Sequence, residues 1–146
     1  MRILIVEDIE AKMKVIEECI SGVREDWEFI EAMSYSDGLQ KIYLGGWDLV
    51  LMDMSLPTYN ISHTESGGTK KPVAGKELMA RMLSRKIFIP VIIITQFDTF
   101  GDNQLSLESL NKEFEENYTK IWKGTISYDK PGWQEQLLKL LDEIGK

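Results

Sequence analysis

At 146 residues, with 43% hydrophobic and 28% charged positions, the sequence is that of one ordinary globular domain. Its net charge of −7 argues against nucleic acid as a direct partner, because phosphate recognition needs a clustered basic face. No apolar run is long enough for a membrane span, and no signal peptide is expected, because acids follow Ile3–Val6 at once. Cys19 is the only cysteine, so an intrachain disulfide is impossible and a reducing cytoplasm is the expected setting.

In chain order, Ile3–Val6 reads as a strand that runs straight into Glu7 and Asp8. Ile9, Met13, Ile16 and Ile20 then recur at spacings of four, three and four, the stripe of an amphipathic helix that Gly22 can end. Cys19 falls in that helix as a small, partly buried hydrophobe. Trp27–Ala32 is a second strand and Tyr35–Leu44 a helix closed by Gly45-Gly46. Asp48–Met52 is a third strand whose apolar run stops at Asp53, and Pro57 keeps it from continuing. Lys76–Leu83 is helical, and Pro90–Thr95 is a fourth strand whose unbroken Val91-Ile92-Ile93-Ile94 needs cover on both faces. A polar helix is expected over Leu105–Asn117, a short fifth strand over Gly124–Tyr128 and a last helix over Trp133–Ile144. The alternation predicts an α/β domain with right-handed crossovers and helices on both faces of a parallel sheet. No repeat, linker or second domain is visible.

In such a sheet, ligands bind at the carboxyl ends of the strands. Two buried strands ending in Glu7-Asp8 and Asp53 would therefore form one acidic pocket. A plainer reading of Asp8 makes it the N-cap of the following helix. That reading suits Asp53 less, because Pro57 and a long loop follow it.

The order Ile5-Val6-Glu7-Asp8, Asp53-Met54-Ser55-Leu56-Pro57, Ile92-Ile93-Ile94-Thr95 and Lys130-Pro131 resembles the CheY-like receiver domain of two-component response regulators. The resemblance spans the chain and implies a flavodoxin-like, doubly wound five-stranded parallel sheet of order 2-1-3-4-5. It also implies that Asp53 accepts a phosphoryl group from a histidine kinase or phosphotransfer protein. A carboxylate can attack a phosphoryl group only where the repulsion of two anions is neutralised, and Mg²⁺ does this with one or two carboxylates and several waters. By resemblance Asp8 and Asp53 would be direct ligands, Glu7 would act through water and the Ser55 carbonyl would complete the protein side. Thr95 would donate to one phosphoryl oxygen, and Lys130 would pair with another as a point charge. The activity implied is that of a phosphoacceptor, with at most self-phosphorylation and self-dephosphorylation, rather than of an enzyme with a separate substrate.

The chain also departs from the family pattern. The glycine expected soon after Pro57 has its counterpart in Gly75, eighteen residues on, which marks 58–74 as an inserted loop. Such a loop is a lid or a solvated excursion. As a lid it would bring Lys70-Lys71 toward the phosphoryl group. Within it His63 has no second ligand nearby to suggest zinc, and Asn60-Ile61-Ser62 is a glycosylation pattern a cytoplasmic chain would not use. The stretch from Thr95 to Lys130 is longer than expected, and Gln96 stands where a small residue usually follows the threonine. Ser127 holds the place of the switch aromatic, with Tyr128 one residue later, and a one-residue shift along a strand reverses the face.

The reading includes no output domain, so the effect would pass through a surface to a downstream protein. Tyr118, Trp122, Tyr128 and Trp133 are candidates for that face or, alternatively, for the core. The alternative function is a pseudo-receiver that binds protein without phosphorylation. A haloacid-dehalogenase-like phosphohydrolase fits less, because Ser55 stands where it needs a second acid. A dinucleotide enzyme fits least, because no Gly-x-Gly-x-x-Gly follows the first strand.

Overall fold

The computed structural model describes residues 1–61 and 66–145. Its elements run β1 (Arg2–Val6), α1 (Glu10–Ser21), β2 (Glu28–Ala32), α2 (Tyr35–Leu44), β3 (Leu49–Met52), β4 (Leu56–Pro57), β5 (Lys70–Lys71) and α3 (Ala74–Ser84). They continue with β6 (Val91–Thr95), β7 (Thr99–Phe100), β8 (Leu105–Ser106), α4 (Leu107–Asn117), β9 (Trp122–Ser127) and α5 (Trp133–Ile144). The central sheet is parallel, in the order β2-β1-β3-β6-β9. This is the expected 2-1-3-4-5 arrangement, with the two short hairpins β4–β5 and β7–β8 set outside it.

Strand alternation divides the core into two layers. Leu4, Val6, Val50, Met52 and Ile93 face α2, α3 and α4, where they pack with Ile42, Leu78, Met79 and Phe114. Ile3, Ile5, Leu49, Leu51 and Ile92 face α1 and α5, against Met13, Ile16, Ile20 and Leu137. A continuous apolar strand such as Val91-Ile92-Ile93-Ile94 is thus buried on both sides, as its composition requires.

Local chemistry sets the helix ends. Ser34 caps α2 by accepting the Asp37 N–H at 3.1 Å, and Gly45 ends it with φ 77°. Ser106 caps α4 by accepting from Ser109 N–H at 3.1 Å, so the helix starts at Leu107. Leu105 and Ser106, expected to be helical, instead pair with Phe100 and Thr99. The fifth central strand starts earlier than its sequence suggests and ends before Tyr128, and a bulge puts Lys123 between the partners of Val91 and Ile92.

The base of the 58–74 segment is a ladder rather than an open loop. Leu56 and Pro57 pair with Lys71 and Lys70, and Thr58 and Tyr59 N–H donate to the carbonyls of Thr69 (3.2 Å) and Gly67 (2.9 Å). His63 and Ser62 of the glycosylation pattern lie outside the described residues.

The four aromatics do not form one face. Tyr118 and Trp122 pack on Phe114, with ring centroids 5.4 and 5.7 Å away, in the α2/α3/α4 layer. Tyr128 and Trp133 stack 5.0 Å apart in the other layer. Both pairs belong to the margins of the core, the plainer of the two sequence readings. No helix among the described residues is long and apolar enough to cross a membrane.

Candidate functional site

The site is built where β1 and β3 end side by side. Val6 and Met52 are in register, and Asp53 N–H donates to Val6 O at 3.0 Å, so Glu7 and Asp53 become neighbours at the carboxyl edge of the sheet. Val6 and Met52 face the α2/α3/α4 layer, so the next residue on each strand turns toward α1. Asp8 follows, half-buried, and carboxylate oxygens of Glu7, Asp8 and Asp53 all lie within 4.8 Å of one another. Asp8 is not a helix cap: the N-cap position of α1 is Ile9, with no side-chain hydrogen bond.

Each buried carboxylate is held by its own backbone. Glu7 Oε2 accepts from Ile9 N–H at 3.0 Å, and Asp53 Oδ1 accepts from Met54 N–H at 2.7 Å. The remaining oxygens face a lysine that the sequence reading did not single out. Lys12 Nζ lies 2.6 Å from Glu7 Oε1 and 3.4 Å from Asp53 Oδ2, and it donates to Ile94 O at 2.9 Å. Its side chain is only 2% exposed, and the Tyr128 ring centroid is 5.5 Å from Nζ. One signal was available in the sequence: Lys12 falls on the apolar stripe of α1, three residues after Ile9 and four before Ile16. A lysine there is either misplaced or paired.

Electrostatics follow from burial. Desolvation, reinforced by the charge of Asp53, pushes the Glu7 carboxyl up to about 7, against the opposing pull of Lys12. Burial likewise raises Asp53 above the usual carboxylate range, while Lys12 and the Met54 N–H pull it back. The Thr95 hydroxyl pulls Asp53 in the same direction, although its buried Oγ1 completes no hydrogen bond of normal geometry.

Of the residues singled out in the sequence, Glu7, Asp8, Asp53 and Thr95 come together at this edge, and Ser55 lies buried on the turn just after β3. Lys130 does not join them. It is exposed, and with Asp98, Ser106, Asn111 and Ser127 it lines a separate groove of about 540 Å³ beside α4. Lys71 is engaged elsewhere, 3.4 Å from Glu77 Oε1 and over the Tyr35 ring. Ser127 pairs with Thr95 across β6 and β9, while Tyr128 belongs with the α1/α5 layer. The one-residue shift therefore places the aromatic under Lys12 rather than beside α4.

Three carboxylates and a buried, unpartnered hydroxyl make an all-oxygen donor set, which suits a hard divalent cation. Lys12 already neutralises part of that charge, and Asp8 stands outside its ion pairs.

No family model matches the chain. Among curated proteins it is similar to the Detocs response regulatory protein DtcB of Enterobacter cloacae, at 28% identity over 99% of this chain and all of the relative. Among solved structures it is similar to a CheY-like response regulator receiver domain from Methanospirillum hungatei (TM-score 0.64, 22% identity, 99% of this chain and 93% of that one). The chain has the CheY-like receiver fold. A second receiver domain with this fold, from a sensor histidine kinase of Pseudomonas aeruginosa, has a magnesium ion coordinated in its active-site cleft. It matches at a TM-score of 0.63 and 16% identity, over 99% of this chain and 98% of its own. In this chain the acidic cluster at the carboxyl edge of the sheet is the one formed by Glu7, Asp8 and Asp53.

Proposed function

We propose that this receiver domain accepts a phosphoryl group on Asp53 from a histidine kinase or phosphotransfer protein and signals by changing a protein-binding surface. The observation that carries this reading is the pairing of a backbone-anchored Asp53 with two further carboxylates at the carboxyl edge of β1 and β3. Asp53 Oδ1 is held by Met54 N–H, which leaves Oδ2 as the attacking oxygen. A bond forms between Oδ2 and phosphorus while the bond from phosphorus to the donor atom breaks, and the donor leaves with the electron pair. Asp8, Asp53 and, through water, Glu7 would hold Mg²⁺, with the Ser55 carbonyl on the same side. The ion supplies charge neutralisation for two anions that must meet. The Thr95 hydroxyl, buried without a hydrogen-bond partner, is free to donate to an incoming phosphoryl oxygen. The domain then acts as a phosphoacceptor rather than as an enzyme with a released product.

Intact mass after incubation with Mg²⁺ and acetyl phosphate tests this. A labile gain of one phosphoryl group in the wild type, absent in Asp53→Asn, is the expected result. No adduct at any Mg²⁺ concentration would instead leave a binding module that works without phosphorylation.

A further inference from the structure

A lysine ammonium with 2% exposure is costly unless fully paired, and Lys12 is fully paired: one carboxylate at 2.6 Å, a second at 3.4 Å and a backbone carbonyl at 2.9 Å. The third of these contacts carries the most information. Glu7 alone would satisfy the charge, yet the hydrogen bond to Ile94 O draws the ammonium to the end of β6, beside Thr95 and within reach of the Asp53 oxygen that faces away from Met54. No other described lysine forms an ion pair with Asp53. Lys130 faces solvent and a different groove.

We infer that Lys12, carried by α1, is the cation that pairs with the phosphoryl group on Asp53, in the role the resemblance assigned to Lys130. This rests on the phosphoacceptor reading of Asp53. Transfer would convert a single carboxylate charge into a phosphoryl group carrying close to two negative charges at the same edge. The four-carbon stem lets Nζ move from Glu7 to a phosphoryl oxygen without moving the helix. Thr95 Oγ1 would take another oxygen. Because Nζ also lies over the Tyr128 ring, the same movement alters the contact that holds Tyr128 and, through it, Trp133 in the α1/α5 layer. The state of Asp53 would thus be reported on the α1/α5 side of the sheet.

The experiment compares wild type, Asp53→Asn, Lys12→Gln, Lys12→Arg and Lys130→Gln for acyl phosphate formation and lifetime, by intact mass with acetyl phosphate and Mg²⁺. The expected result is a loss of at least about tenfold in rate or lifetime for Lys12→Gln, with partial rescue by Lys12→Arg. Lys130→Gln should stay within about twofold of wild type. In parallel, NMR of the lysine Cε resonances of the wild type, with beryllofluoride as a phosphoryl mimic, reads the same contact without a substitution that could unfold the chain. Lys12 should shift on addition and Lys130 should not. An adduct that survives Lys12→Gln and is lost in Lys130→Gln, or a shift confined to Lys130, overturns the inference while leaving Asp53 as acceptor. No adduct in the wild type overturns both.

Discussion

Gly75 lies against the backbone of Asp53: a Cβ on Gly75 would come 2.8 Å from the Asp53 carbonyl oxygen and 3.2 Å from Met54 Cα. Gly75 N–H also donates to Met54 O at 2.9 Å, so the first turn of α3 is fastened to the turn that carries the acceptor. The helix therefore packs on the site itself, and the nearest obstacle is the Asp53 backbone, with the Ile93 Cδ1 methyl farther off at 3.2 Å.

Gly75→Ala should reverse the usual preference for alanine in helices. Helix propensity alone would favour alanine by up to about 1 kcal/mol, but the clash with backbone should make the substitution a net loss of about 1–3 kcal/mol. Urea unfolding measures this, and a variant more stable than wild type would show that α3 can slide.

Stability should fall as pH rises through the range in which Glu7 titrates. Its carboxyl moves from an ordinary 4.5 to about 7, so between those values the folded chain binds more protons than the unfolded one. The contribution is fully favourable below 4.5, is lost through neutrality and is absent above about 7; burial shifts Asp53 the same way. Without metal, the unfolding free energy attributable to this site should be lower at pH 8 than at pH 5 by on the order of 1–3 kcal/mol. Denaturant titrations of wild type and Glu7→Gln at both pH values isolate it, the variant showing the flatter dependence.

Magnesium should stabilise the fold, and more strongly at pH 8 than at pH 6, because its carboxylate ligands must be ionised. At a few-fold excess over its dissociation constant the gain should be about 1 kcal/mol, read as a rise in Tm. Asp8→Asn and Asp53→Asn should abolish the rise.

Phe114 is fully buried between Tyr118 and Trp122, and Phe114→Ala should cost about 3–5 kcal/mol, measured by urea unfolding. A loss below about 1 kcal/mol would mean that the two outer rings are not held by the core.

The fold was legible because the three inner strands β1, β3 and β6 announce themselves as short apolar runs and the helices as stripes, and local chemistry and packing agree on both. The boundaries that moved did so where tertiary pairing overrode pattern. Leu105 and Ser106 have no helical defect of their own, yet pairing with Thr99–Phe100 and the cap at Ser106 takes them out of α4. The acids of the site were legible because a charge abutting a buried strand has few uses. The position of Lys130 was not, because a turn following a strand leaves its side-chain direction open. Lys12 was hidden by a habit of reading: a lysine in a helix is normally solvated, and only its place on the apolar stripe between Ile9 and Ile16 marks it.

The ladder formed by β4, β5 and the Thr58–Thr69 and Tyr59–Gly67 bonds closes the neck of the 58–74 segment like a clasp. The two ends of the segment are thereby fixed to each other. Lengthening the chain there adds only a slowly growing closure entropy. The neck is thus a natural cassette port, where a reporter peptide or a foreign recognition sequence could be carried within a few residues of the acceptor turn.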